Sequence, residues 1–365
     1  MTTKTEIAWT EYTWGPIRGC RRTSPGCEHC YAETMAARIV RMGGLVWDPL
    51  SEHWVTTAKT DLHSGAYKTA FKYAPLVRMR GRSAQWTGKF AFDAYKLAEP
   101  LRWREPRLVF VNSMSDLFGE GLTNEQVAAV FGVMAAAPRH TFQVLTKRAE
   151  RMAEWFQWLE RGAEGAGGQP HALQCGVRAA NFGADVDYCG LPETWPLPNV
   201  HLGVSCERQK EADERIPMLL RCPAAVHWVS AEPLLGPLDL REYLYGPKGL
   251  QWVVYGGESG HGARPCDIEW IRDGVKQCRG AGVPVFVKQL GYNPILRDRF
   301  DISDARFSLL DASDAGWTEH DGPPWLADKT GADMAEWPLD LRIREFPRGF
   351  VPPKSRTLRV VRDGA

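Results

Sequence analysis

The run Gly19-Cys20-Arg21-Arg22-Thr23-Ser24-Pro25-Gly26-Cys27-Glu28-His29-Cys30-Tyr31-Ala32 holds three cysteines in a C-x6-C-x2-C spacing. Thiolates are soft ligands, and three close together suit a metal ion or an iron–sulfur cluster. Ser24-Pro25-Gly26 supplies a turn that lets the three converge. A structural zinc site takes four ligands. His29 is the nearest fourth candidate, but it stands between Cys27 and Cys30, where joint ligation is awkward. Three ligands on a 4Fe–4S cluster instead leave one iron open to a substrate or cofactor. The bland reading is three free cysteines by coincidence. Finding three within eleven residues, in a chain that has nine, weighs against it.

A second set of polar residues follows short apolar runs. It comprises Asn112-Ser113-Met114-Ser115-Asp116, Thr146-Lys147-Arg148, Ser205, Ser230-Ala231-Glu232-Pro233, Gly256-Gly257-Glu258-Ser259 and Lys288-Gln289. Loops are polar anyway, so one such residue would carry little weight. Several carboxylates and lysines at successive strand ends point to a site, because β/α barrels carry their active sites there. Gly256-Gly257 permits close backbone approach to a ligand. The remaining cysteines and the scattered histidines share no ligand spacing and read as core or surface residues. No P-loop, G-x-S-x-G elbow or H-E-x-x-H is present.

The elements that position these residues alternate. Leu108–Asn112, Phe142–Leu145, Val200–Val204, Val226–Ser230, Trp252–Tyr255 and Val283–Val287 are apolar throughout and read as buried strands, with a further strand expected over Thr13–Arg18. Helices are expected over Ala32–Arg41, over Val127–Ala137 behind the capping sequence Thr123-Asn124-Glu125-Gln126, over Glu207–Leu220 and over Asp267–Gly280. Strands alternating with helices imply a parallel sheet under helices. The fold class expected is α/β, a partial β/α barrel of about six parallel strands. The barrel is expected over 1–291, with insertions at about 45–107 and 162–198, and an irregular C-terminal appendage over 292–365 packs on it.

The chain has 365 residues, 44% hydrophobic and 24% charged, as an ordinary globular protein has. No apolar run approaches the ~18–20 residues of a membrane helix, and Met1 to Glu11 has no apolar signal core. An odd number of scattered cysteines argues for reduced thiols, so the expected location is the cytoplasm. Net charge is +1, but Lys59–Arg107 carries eleven Lys/Arg against four acids, an excess of seven. Eight aromatic residues interleave with those charges. That mixture suits DNA or RNA, with a solvated insertion as the competing reading.

Trp9-Thr10-Glu11-Tyr12-Thr13-Trp14-Gly15-Pro16 and Gly19-Cys20 through Tyr31-Ala32-Glu33 resemble the phage-type three-cysteine-motif proteins, a family of uncertain function. Matching blocks include Phe110-Val111-Asn112-Ser113-Met114-Ser115-Asp116-Leu117-Phe118, Leu145-Thr146-Lys147-Arg148, Ser230-Ala231-Glu232-Pro233-Leu234-Leu235-Gly236-Pro237, Gly256-Gly257-Glu258-Ser259-Gly260 and Trp337-Pro338. That family is similar to radical S-adenosylmethionine (SAM) enzymes, nearest to the spore photoproduct lyase type. The resemblance implies a partial β/α barrel with a 4Fe–4S cluster held by Cys20, Cys27 and Cys30, and SAM on the open iron. It implies Ser113, Ser115 and Asp116 on the methionine part of SAM, Gly256 and Gly257 on the adenine side, and Glu258 in the same pocket. Lys147 and Glu232 would face SAM or substrate. The usual radical-SAM spacing is C-x3-C-x2-C. Here the first gap is six, and the second half, with the following aromatic, is kept.

The implied chemistry is reductive cleavage of SAM to methionine and a 5′-deoxyadenosyl radical, which takes a hydrogen atom from a substrate. The expected substrate leans to nucleic acid or nucleotide. Two other classes stand beside this one. The first is a non-enzymatic nucleic-acid-binding protein with a structural metal on the cysteines. The second is a barrel hydrolase using paired carboxylates such as Asp116 and Glu232.

Overall fold

Strands buried on both faces read as continuous apolar runs, and this chain forms its central sheet from such runs. The computed structural model describes residues 3–164, 194–260, 262–296, 326–328 and 330–348. The sheet strands are β1 (Thr3–Lys4), β2 (Tyr12–Trp14), β3 (Leu108–Val111), β4 (Thr141–Thr146), β5 (Val200–Ser205), β6 (Val226–Ala231), β7 (Trp252–Gly256) and β8 (Val285–Gln289). Every residue of β3, β5 and β7 is buried. The order in the sheet is the order in the chain, β1 to β8. Among the described residues β1 is the antiparallel edge and the other seven strands form a parallel half-barrel sheet. A doubly wound sheet would reverse its order partway, and this one does not. The fold is therefore mixed α/β of the partial-barrel kind, with one parallel strand more than the six or so expected.

The extra strand comes from the N-terminal segment. The strand expected over Thr13–Arg18 is broken in two. Tyr12–Trp14 joins the sheet in register with Val109–Val111, and Ile17–Arg18 pairs antiparallel with Ala91–Phe92. Gly15-Pro16 causes the break, since proline has no N–H for a ladder. The helices are α1 (Tyr31–Met42), α2 (Gly65–Tyr73), α3 (Asn124–Ala136), α4 (Ala149–Glu164), α5 (Gln209–Arg221) and α6 (Ile268–Ala281). Of these, α1, α3, α5 and α6 match expectation, and α3 carries the capping box of Thr123 and Gln126.

The chain divides within β5 into two compact units, Met1–His201 with Cys222–Ala225, and Leu202–Arg221 with Val226–Ala365. In the first, residues 45–107 form a lobe with its own small core. Two hairpins, Leu45–Asp48 with His53–Thr56 and Val77–Arg80 with Ser83–Trp86, flank α2. Leu45, Ala70, Leu76, Val77, Met79 and Trp86 pack there against Ala32, Ala36, Ala37 and Val40 of α1. Small residues on α1 let the two helices approach closely. In the second unit, α6 begins at Asp267, whose side chain accepts from the Glu269 N–H, and ends at Gly282. Residues 326–348 run along β8, where the Val287 N–H donates to Ile343 O at 2.9 Å and Trp337 is buried. Most of the loop expected over 162–198, including Cys175 and Cys189, lies outside the described residues, as does Pro323-Pro324-Trp325. No helix among the described residues is long and apolar enough to cross a membrane.

Candidate functional site

In the first unit the cysteine turn is placed by glycine and by a strand end. Gly19 has φ +82, and a Cβ there would stand 2.2 Å from the Lys89 carbonyl oxygen, so only glycine fits. Ser115, just beyond β3, bridges Gly19 and donates through Oγ to its carbonyl at 2.6 Å. Cys20 therefore sits beside the end of β3. A short helical turn, Pro25–Cys27, follows, and Cys30 opens α1 as its N-cap residue. All three thiols are unbridged and partly buried. Burial, then the charge of Asp116, pushes Cys20 up to about 12, while Arg148 pulls the other way. Burial also raises Cys30. Cys27 goes down. Burial acts upward on it, but the Lys147 charge and hydrogen bonds at Thr23 and Ser24 together outweigh it.

The structure gathers the expected ligands into one turn without closing them on a point. Among the described residues no three Cys, His, Asp or Glu side chains are grouped as a metal would need. The donor chemistry nevertheless suits a thiophilic group. Cationic neighbours favour thiolates, and Lys147 and Arg148 both act on these sulfurs.

Arg148 comes from a network that locks the ends of β3 and β4 together. Asn112 ends β3 with φ 60, in the left-handed region, and its Oδ1 accepts from the Ile17 N–H at 3.3 Å. The turn that follows buries Asp116, whose carboxylate receives four donors. Oδ1 accepts from Thr146 Oγ1 at 2.7 Å and the Phe118 N–H at 3.0 Å. Oδ2 accepts from Arg148 Nη1 at 2.8 Å and the Lys147 N–H at 3.2 Å. Arg148 is itself buried. It donates through Nη2 to Arg21 O at 2.7 Å, and Nη1 lies 3.9 Å from Cys20 Sγ. Asp116 thus holds Arg148 against the cysteine turn. Ser113 accepts through its carbonyl from the Tyr31 hydroxyl.

Two side chains matter here that the sequence reading did not select. Arg148 was seen only as the neighbour of Lys147. Glu33, the third residue of α1, is 1% exposed and accepts from Arg22 through both oxygens and from the Trp86 N–H at 3.0 Å. A glutamate beside the buried Ala32, Ala36 and Ala37 stripe was the available signal.

The second unit assembles the remaining expected residues. Glu232 forms an ion pair with Lys288, and Gln289 Nε2 donates to it at 3.2 Å. The same Gln289 amide donates to Gly257 O at 2.9 Å. A Cβ on Gly256 would lie 3.4 Å from Glu232 Cδ, and one on Gly257 would meet Leu290 O at 2.2 Å. The two glycines thus serve packing of β7 against β8 and Glu232. Glu258 is buried and clasped by Arg264, with the Nη2 to Oε1 distance at 2.5 Å and the Arg264 N–H at 2.9 Å from Oε2. Deeper in this unit, Arg215 pairs with the fully buried Glu207 at 2.9 Å, another charge pair that sequence reasoning passed over.

No curated protein and no solved structure matches the chain. Residues 4–314 match a family described only as a protein of unknown function, DUF5131, and by that extent the chain belongs to the DUF5131 family.

Proposed function

We propose that the protein is an iron–sulfur enzyme of the radical-SAM type, in which Cys20, Cys27 and Cys30 hold a 4Fe–4S cluster. The observation that carries this reading is the cysteine turn itself. Three unbridged, partly buried thiols sit in one turn beside the end of β3, with Arg148 and Lys147 acting on their sulfurs. Three protein ligands leave one iron for SAM. When bound, such a cluster supplies the electron that cleaves the sulfonium of SAM.

The chain's own residues then have distinct tasks. Arg148, fixed by Asp116, offers a buried cation beside Cys20 and offsets thiolate charge. Ser115 fixes Gly19 and so the entry to the turn. Ser113 and Lys147 border the same strand ends and are the groups to contact SAM. In the second unit, Gly256, Gly257, Glu258 and Glu232 are candidate cofactor or substrate contacts on the ends of β6 and β7. Free thiols of this kind fit a reducing cytoplasm. The hydrolase alternative is weakened by the state of its two carboxylates. Asp116 has its lone pairs filled by four donors and Glu232 is paired with Lys288, so both carboxylates are already engaged within the fold.

The test is anaerobic reconstitution with iron and sulfide. The parent should gain visible absorption that dithionite bleaches, and should release 5′-deoxyadenosine from SAM. Replacing any one of Cys20, Cys27 or Cys30 with Ala should remove most of the iron, and replacing Cys278 should not. Equal iron in the triple variant and the parent would sink the reading.

A further inference from the structure

The lobe at 45–107 carries charge that its own acids do not absorb. Asp93 is taken by the buried Arg18 at 2.5 Å and shared with Lys72 at 3.3 Å. Lys68, Arg78, Arg80 and Arg82 have no carboxylate partner among the described residues. Their placement follows from local geometry. In the hairpin Val77–Arg80 with Ser83–Trp86, alternate side chains face opposite ways. Val77, Met79 and Trp86 enter the lobe's core. Arg78 and Arg80 therefore share the other face, across from Gln85 and Ser83, with Arg82 in the connecting turn. That face carries no acid. Arg80 and Arg82 are exposed; Arg78 is half-buried, and its Nε is buried without a hydrogen-bond partner.

The helix α2 repeats the pattern. Ala70 points into the core, while Lys68, Phe71 and Lys72 stand at i, i+3 and i+4 on the opposite, exposed side. Phe71 is 64% exposed. One edge of the ring meets Tyr67, with centroids 6.0 Å apart, and most of the rest is open to solvent beside Lys68. Rings and cations together match one ligand chemistry, phosphates alternating with flat, unstacked bases. A duplex hides its bases from such a ring; a single strand presents them.

We infer that this lobe is a seat for single-stranded nucleic acid. Arg78, Arg80 and Arg82 on the hairpin and Lys68 on α2 meet phosphates, and Phe71 stacks on a base. The seat supplies a substrate or partner class that the cluster chemistry alone does not specify. None of its residues is in the cysteine turn, although Cys20 and Cys30 pack against the core on which the lobe is built.

The experiment is a fluorescence anisotropy titration of the full chain with a short labelled mixed-sequence DNA, single-stranded and then annealed, across a range of salt. The single strand should bind more tightly, with affinity falling steeply as salt rises. Reversing Arg78, Arg80 and Arg82 together to Glu removes at least three phosphate contacts. At about 0.7 each, the slope of log K against log salt should flatten by about 2. Phe71→Ala should weaken binding roughly 5- to 150-fold and leave the slope unchanged. Both variants should keep the parent's circular dichroism spectrum. Cys27→Ala, at the one cysteine of the three that does not pack on the lobe's core, should bind as the parent does, so failure of the cluster reading and failure of this one are told apart. No binding of the single strand at micromolar protein, equal binding of the duplex, or a slope untouched by the triple reversal overturns the inference.

Discussion

Asp116→Ala is the sharpest perturbation of the first unit. The carboxylate is 6% exposed and takes four donors, one of them the buried Arg148. Removing it leaves a guanidinium uncompensated in a site where water cannot replace the lost partner. Breaking a buried ion pair from one side costs about 3–5 kcal/mol. Counting bonds gives a similar figure. Three donors to a charged acceptor, the Thr146 hydroxyl and two backbone N–H groups, lose about 1 kcal/mol or more each. A domain holds about 5–15 kcal/mol in all, so the variant should fold but with a large loss. Urea unfolding should show the midpoint falling at unchanged slope. Arg148→Met should be costly too, because it leaves the carboxylate buried. The double variant should cost less than the two singles summed, by about 1–3 kcal/mol, since each single strands a charge that the other removes. A loss below about 1 kcal/mol for Asp116→Ala, or strict additivity, would refute the account of Asp116 as the clamp on Arg148.

Acid should act through two histidines. Burial holds His140 and His201 down at about 4, in His140 aided by the charges of Arg139 and Arg107. Their neutral forms are favoured in the fold, so the unfolded chain binds more protons below its own histidine range. Stability should be flat between about pH 6.5 and 8 and fall by roughly 3 kcal/mol per histidine as pH drops towards about 4. Urea midpoints across that window check this, and His140→Gln should blunt the fall. Gly257→Ala should cost several kcal/mol or prevent soluble expression, because the added Cβ meets the Leu290 carbonyl at 2.2 Å, whereas Gly236→Ala meets nothing within 4 Å and should be near neutral by thermal unfolding. Thr123→Ala removes the capping box of α3 and should lower stability by about 1 kcal/mol in the same assay.

The parallel strands were legible because burial on both faces leaves no polar position to confuse the pattern. Leu108–Val111 and Trp252–Gly256 are buried at every residue. The break after Trp14 was written in Gly15-Pro16, yet the apolar and aromatic run on either side masked it. Helix α4 was not anticipated, although Met152, Trp155, Phe156 and Leu159 are buried at helical spacing. Its start lacks an N-cap residue at the expected place. The approach to it is fixed instead by Thr146, whose Oγ1 accepts from the Arg148 N–H at 2.9 Å. The insertion was recognisable by position and charge, but not its private core. Ala70 against Ala36 and Ala37 looks like composition until two helices are seen to need the room.

The candidate site divides in the same way. Charged residues at strand ends were visible in the sequence, but sequence cannot tell a reacting group from a clamp. Donor count separates them. Asp116 has donors on both oxygens from two rigid strand ends and one buried cation, so its charge is spent on geometry. Arg148 has one carboxylate behind it and a thiol in front, at 3.9 Å. Lys147 lies next to it in sequence and acts on Cys27 rather than on Cys20. Adjacent residues on one loop thereby address two different sulfurs. A carboxylate at the end of β3 thus fixes one cation, Arg148, beside Cys20, and holds the backbone of Lys147 at the end of β4. Asp116 therefore need not touch a substrate to matter to the chemistry of the turn, because the cation it fixes stands beside Cys20.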